Sequence, residues 1–525
     1  MSLTSLWFYV LVAVLLAVYY ITPGKARWVV LLIASWGFYL LAASQYAPYL
    51  AATTFSTWLA GRLMGREQVR LDAQLADDGE RKVLQAASRK RKARISAGAI
   101  LLNVAVLATV KYGGFAASNL NVLLDAIGRD WRVPVPELLI PLGISFYTFQ
   151  SLSYVIDVYR GKIESQPNLA RYALFVGFFP QMVQGPIGRY DALAPQLLAA
   201  NRFDFERIKD GLGLMLWGFF KKLVIADRGA LIVANILSNG DTYQGLYVPL
   251  AMVLTALQVY CDFSGGIDIV TGVAEMFGIQ LATNFRRPYL AQSVPEYWRR
   301  WHITLGAWMR DYVYYPLALW PPLARAGRWL RRAGLKRLGV LLPAMTAELV
   351  VFAVIGIWHG AEWKWLVYGL YYAILIILGL VLGPYATKVG NALGLRDERW
   401  STKALRITAV FALACMGRYI TRADNLSHTW ELLLRTKAAW NPWILTDGSL
   451  WTLAGSNNET LVLLAALGLL GVVSVLQERG FALRERIAAG GRAAQWSVII
   501  VAIVVVVLFG VYGPDYPSVF VYELF

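Results

Sequence analysis

The stretch P-E-Y-W-R-R-W-H-I-T-L-G-A-W-M-R-D-Y-V-Y-Y-P, residues 295–316, decides how this chain must be read. It holds three tryptophans, three arginines, an aspartate and one of only three histidines in the protein. Taken as one helix, it places Trp298, His302, Leu305 and Met309 on a shared face, with Arg299, Arg300 and Arg310 projecting elsewhere. Two readings fit. One is an amphipathic helix anchored at the headgroups by its aromatics and arginines. The other is a segment that dips into the bilayer from an aqueous side. In both, the relevant solvent is a membrane.

The flanking sequence makes the same demand. The chain has 525 residues, is 58% hydrophobic, and exceeds what one soluble core usually needs. Apolar runs of about 17–23 residues recur along its whole length, each able to cross a bilayer as a helix. The alternation of a β-barrel is absent, so the expected fold class is an all-α polytopic membrane protein. Spans are expected near residues 6–21, 27–43, 46–61, 96–112, 141–161, 339–357, 366–384, 405–420, 458–477 and 496–512. The first run has no basic residue before it and no cleavage site, so it reads as a retained span and not a signal peptide.

A net charge of +17 raises the question of nucleic acid, and its distribution answers it. When loops are assigned to alternating sides, those placed inside hold 35 of the 50 lysines and arginines. The long outside loops, 111–136 and 421–457, hold three each. This positive-inside pattern puts both termini outside and makes the basic residues reporters of orientation and of contact with membrane lipid. Nucleic-acid binding has no further support. The polar stretch 62–95 reads as a cytoplasmic basic arm on anionic lipid, with a soluble partner as the alternative.

Several segments are too polar or too broken for plain spans. Residues 141–161 carry Ser145, Tyr147, Thr148, Gln150, Ser151, Ser153, Tyr154 and Asp157. These must face protein or water, either to bond between helices or to line a substrate path. Residues 178–190 contain two prolines and two glycines, so no straight helix runs through them. Asp262 and Asp268 adjoin apolar runs, and pairing with arginines of 286–310 is the expected structural role. His359 is expected at a helix end, flanked by Trp358 and Trp363 and followed by Gly360. His428, in polar company, reads as a surface residue. Cys261 and Cys415 sit in apolar surroundings and form neither a disulfide framework nor a metal site.

In order along the chain, P-L-G-I-S-F-Y-T-F-Q (141–150), F-F-P-Q-M-V-Q-G-P-I (178–187), F-K-K-L-V-I-A-D (220–227), D-F-S-G (262–265), N-F-R-R-P-Y (284–289), residues 298–317 and W-H-G-A-E-W (358–363) resemble the membrane-bound O-acyltransferases. The likeness is strongest to the bacterial branch that O-acetylates alginate, with teichoic-acid D-alanylation a near relative. Residues 1–130 and those beyond 385 match only in character. Cys261 stands where an aromatic is expected, and Gly266-Ile267 replaces a more polar pair.

The resemblance implies a single domain over 1–525: a ring of tilted helices with re-entrant segments, residues 281–337 among them, around a central channel. It implies His359 as the catalytic histidine and His302 as the second active-site position. Candidates to line the channel are Trp298, Trp301, Arg310, Asp311, Tyr312, Trp358, Trp363, Gln150, Tyr147, Asp262 and Ser264. It further implies no bound cofactor, an acyl thioester such as acetyl-CoA or an acyl carrier as donor, a periplasmic partner of the SGNH type, and a polysaccharide acceptor.

The chemistry is consistent with those roles. Acyl transfer from a thioester to a hydroxyl needs proton removal, oxyanion stabilisation and exclusion of water. An imidazole among indoles stays neutral and can accept a proton. No Ser-His-Asp order, Walker loop or zinc spacing appears. Cys261 as an acyl-carrying nucleophile is disfavoured because Asp262 beside it opposes a thiolate. The rival class is a transporter, which also uses broken helices and intramembrane acids, but two related halves are not evident.

Overall fold

The structure is a computed structural model that describes residues 3, 5–75, 81–136, 141–395, 399–453, 455–512 and 520. Those residues are helical or irregular, with no strand among them. Eight helical stretches are long and apolar enough to cross a membrane, and Leu6–Ile21 is a shorter apolar helix. The protein is therefore an all-α polytopic membrane protein, as its hydropathy requires. By internal packing it divides into two compact units, residues 1–212 with 270–282, and residues 213–269 with 283–524.

In the first unit, Ala47–Leu75 and Arg81–Ala126 pack side by side, and Ile144–Tyr159 packs against both. The polar arm expected over 62–95 is the outer part of this pair, while residues 76–80 lie outside the described residues. The loop expected over 111–136 is corrected, since the helix continues to Ala126. Only its last part is irregular.

Ile144–Tyr159 is buried along almost its whole length, hydroxyls and amide included. Gln150 Nε2 donates to the Phe175 carbonyl at 2.6 Å, and the Tyr154 hydroxyl accepts from Gln166 N–H at 2.9 Å. Gly61 allows this packing, because a Cβ there would lie 2.6 Å from the Tyr154 ring. The break expected in 178–190 is present: helices end at Gly177, Gln184 and Leu198, with irregular backbone over 185–189.

The second unit holds the stretch that opened the sequence, and it is not one helix. Val294–Arg300 stops, His302 adopts φ 45° and ψ 54°, and Ile303–Met309 starts afresh. The shared face of Trp298, His302, Leu305 and Met309 therefore does not form. Nothing in local propensity demands the break, as no Gly or Pro lies within it. Backbone bonding to the irregular segment 284–286 supplies the cause. Arg286 N–H donates to the Arg300 carbonyl and Ile303 N–H to the Asn284 carbonyl, both at 2.9 Å. Downstream, residues 310–314 form a π-helical turn before Pro316, a residue with no N–H to continue the ladder.

Lys336–His359 and Trp363–Ala392 make a tight helical hairpin. Added Cβ atoms at Gly356 and Gly369 would fall 2.3 Å from the Trp365 carbonyl and 2.1 Å from the Phe352 carbonyl. Backbone thus meets backbone, the small-residue contact by which helices associate in lipid.

Candidate functional site

His359 is the last residue of its helix and is buried to 7% exposure. The hairpin turn brings Trp365 face to face with it, rings 5.5 Å apart and 24° from parallel. Gly360 makes room: a Cβ there would sit 2.3 Å from the Trp365 indole nitrogen. Trp358 meets the imidazole edge-on at 5.0 Å and Tyr368 at 6.1 Å. The sequence reading expected Trp363 beside His359. Trp363 is half exposed, and the stacked ring is Trp365.

His302 is 2% exposed and lies outside the eight spans. Phe263 packs on it at 4.9 Å and Trp358 at 5.8 Å. The two histidines, 57 positions apart in the chain, therefore meet one indole. His302 is also one of two non-glycine residues with positive φ among the described residues, the other being Arg287. Such backbone costs about 1–3 kcal/mol and gathers at functional sites.

The tautomer of His302 follows from its neighbours. Asn284 Oδ1 accepts from the Thr304 backbone N–H at 3.1 Å and from Thr304 Oγ1 at 2.8 Å. A backbone N–H can only donate, which identifies that Asn284 atom as the oxygen. The same oxygen lies 3.2 Å from His302 Nδ1, so Nδ1 carries the proton and donates. Nε2 then holds the lone pair. Burial lowers the imidazole pKa to about 3, so His302 is neutral at physiological pH.

The other candidates divide. Trp298 joins the same aromatic block, edge-on to Tyr372 at 4.9 Å and to Phe352 at 5.1 Å. Trp301 is buried against Phe285 at 5.1 Å and stacks on Tyr297 at 5.7 Å, with the Arg418 guanidinium over its ring. Tyr312 packs on Trp308, and Arg310 pairs with Asp311 at 3.3 Å where both are solvated. Gln150 and Tyr147 belong to the first unit, buried as described above.

Asp262 and Ser264 flank Phe263 on Tyr247–Met276 but turn to lysines. Lys222 Nζ lies 2.7 Å from Asp262 and 2.8 Å from Asp227. Lys221 Nζ donates to Ser264 Oγ at 2.9 Å and pairs with Asp268 at 2.7 Å. The expected arginine partners are thus corrected to the two lysines of a π-helical turn, 220–226. The arginines of that region pair elsewhere, Arg287 and Arg300 with Glu478. Cys261 is fully buried, Cys415 is buried, and His428 is partly exposed with Nδ1 3.1 Å from Asp424.

Asn284, Trp365 and Phe263 were not singled out from sequence. The one available signal was the position of the asparagine at the head of the N-F-R-R-P-Y motif.

Two buried histidines thus share one indole among apolar helices. Residues 161–390 match the sequence profile of the membrane-bound O-acyltransferase family. A protein of Azotobacter vinelandii named "Probable alginate O-acetylase" is 30% identical over 460 residues, covering 88% of this chain and 82% of that one. A peptidoglycan O-acetyltransferase of Helicobacter pylori is 30% identical over 301 residues, 52% of this chain and 53% of that one. A teichoic acid D-alanyltransferase of Bacillus subtilis is 27% identical over 327 residues, 60% and 78% of the two chains. The chain belongs to the membrane-bound O-acyltransferase family. It is a multi-pass membrane O-acyltransferase.

Proposed function

We propose that the chain acts as one catalytic domain in a bacterial inner membrane, both termini outside, and moves an acetyl group from a cytoplasmic thioester to hydroxyls of an extracytoplasmic polysaccharide. Acetyl-CoA is the proposed donor, and a periplasmic SGNH-type partner completes delivery. The observation that carries this reading is the meeting of His302 and His359 on Trp358. The relatives that O-acetylate alginate and peptidoglycan support the acyl group and the acceptor class.

In the proposed reaction His359 takes the proton of an acceptor hydroxyl while its oxygen attacks the thioester carbon. The tetrahedral oxyanion collapses, the C–S bond breaks, and His359 returns the proton to the thiolate. His302 has its proton on Nδ1, and this supports a role for Nε2 in accepting a hydrogen bond that positions acceptor or donor. The assignment of His359 as the base rests on the family resemblance. Indoles around both rings exclude water that would hydrolyse the thioester.

The test is thioester cleavage by the purified protein with its partner, together with O-acetylation in cells. His359→Ala should abolish both and Cys261→Ala should retain both, while the opposite pattern overturns the assignment. A transporter would move substrate and leave the thioester intact. A second reading, D-alanyl transfer from a carrier protein, is favoured by the teichoic-acid relative. The basic segments 89–94 and 325–337 would dock the acidic carrier, and neutralising them should then impair donor use.

A further inference from the structure

The outer ends of Ala47–Leu75 and Arg81–Ala126 enclose an open groove of about 490 Å³. Arg66 and Arg70 enter it from one helix, one turn apart, and Arg91 and Arg94 from the other. Glu67 is the one acid among the lining residues, and it pairs with Arg91 at 3.4 Å. Lys92 Nζ donates to Gln68 Oε1 at 2.6 Å beside it, so the two helices are pinned in register. The lining thus carries a net charge of +3.

The groove is polarised along its length. Leu63 and Ile95 lie at the end where both helices become apolar, and the arginines lie beyond them. From Leu63 to Arg70 the helix rises about 10 Å, comparable to the depth of a headgroup. A ligand that fits has a negative phosphate at one end and a hydrocarbon chain at the other. Guanidinium forks suit phosphate oxygens, and a choline cation would be repelled.

We propose that this groove binds the phosphate of an anionic phospholipid headgroup, its acyl chains leaving past Leu63 and Ile95. The groove's lining contains neither His302 nor His359, and lateral diffusion in the leaflet would deliver the ligand. Its occupation clamps the two helices together by neutralising arginines that otherwise repel one another.

The experiment uses the full chain in detergent, with retention of phosphatidylglycerol and of phosphatidylcholine read by native mass spectrometry. Phosphatidylglycerol should be retained preferentially, and Arg66→Gln with Arg94→Gln should weaken it about fivefold per arginine, leaving phosphatidylcholine unchanged. Glu67→Gln removes the opposing acid and should strengthen retention, a gain that misfolding cannot produce. Equal retention of phosphatidylglycerol by the native and double-arginine proteins overturns the site. Displacement of the lipid by micromolar coenzyme A or by inorganic phosphate overturns the lipid in favour of a soluble phosphate. Displacement by an acidic carrier protein alone overturns it in favour of protein docking.

Discussion

The two candidate histidines are presented by opposite devices. His359 ends a regular span of 24 residues and owes its position to the helix beneath it and to Trp365 across a glycine-packed turn. His302 sits in a break between two seven-residue helices, in a left-handed conformation held by residues 284–286. One is placed by local structure, the other by a tertiary contact. Under the proposed function the residue on the regular span is the base, while the residue in the left-handed corner has its proton assigned to one nitrogen by Asn284.

The largest effect should come at the first of these positions. His359→Ala should lower acyl transfer by about 10²–10⁴-fold while the protein remains folded, measured as thioester cleavage. Near-native turnover would leave the base unassigned and end the contrast.

Asn284 tests the second device. Asn284→Ala deprives the Thr304 N–H and His302 Nδ1 of their shared acceptor, at a cost of about 1–3 kcal/mol for each buried donor. Asn284→Asp keeps an oxygen there and should recover much of both stability and activity. Thermal unfolding in detergent and turnover together decide the matter. Were Ala and Asp indistinguishable, the oxygen would not be what orients the ring.

Glycine and alanine sharpen the comparison further, because the two backbones should rank them in opposite order. At position 302 both variants lose the imidazole, but Gly escapes a left-handed cost of about 1–2 kcal/mol, so His302→Gly should outlast His302→Ala. At position 359 the helix favours Ala over Gly by up to about 1 kcal/mol. The same order at both sites would mean that residue 302 is not strained.

The smallest effect concerns the stacked ring. Trp365→Leu should lose about 0.5–1.5 kcal/mol of aromatic stacking beyond the area term, and Trp365→Phe should keep most of it. An unfolding midpoint that orders Leu above Phe would show that the hairpin, and not the ring contact, places His359.

Sequence by itself determined the helical character of the spans, the place of most of them and His359 at a helix end, although Tyr247–Met276 was not expected as a span and 141–161 is not among the eight. Each depends on neighbours within one helix, where hydropathy over about 20 residues and bilayer thickness suffice. Motif order also singled out His302 as a candidate. Tertiary structure decided what those residues face. The helix expected through 295–316 breaks because residues 284–286 claim the backbone of 300–303, and no propensity of Trp301 or His302 encodes that. Asp262 and Asp268 take lysines 40 and 47 positions away in place of the arginines nearer in sequence. Trp365 stacks on His359 because the turn at Gly360 sets which face of the next helix arrives. Hydrophobicity chooses the compartment of each segment locally, whereas the partner of a buried polar atom is chosen wherever the folded chain brings a donor and an acceptor together.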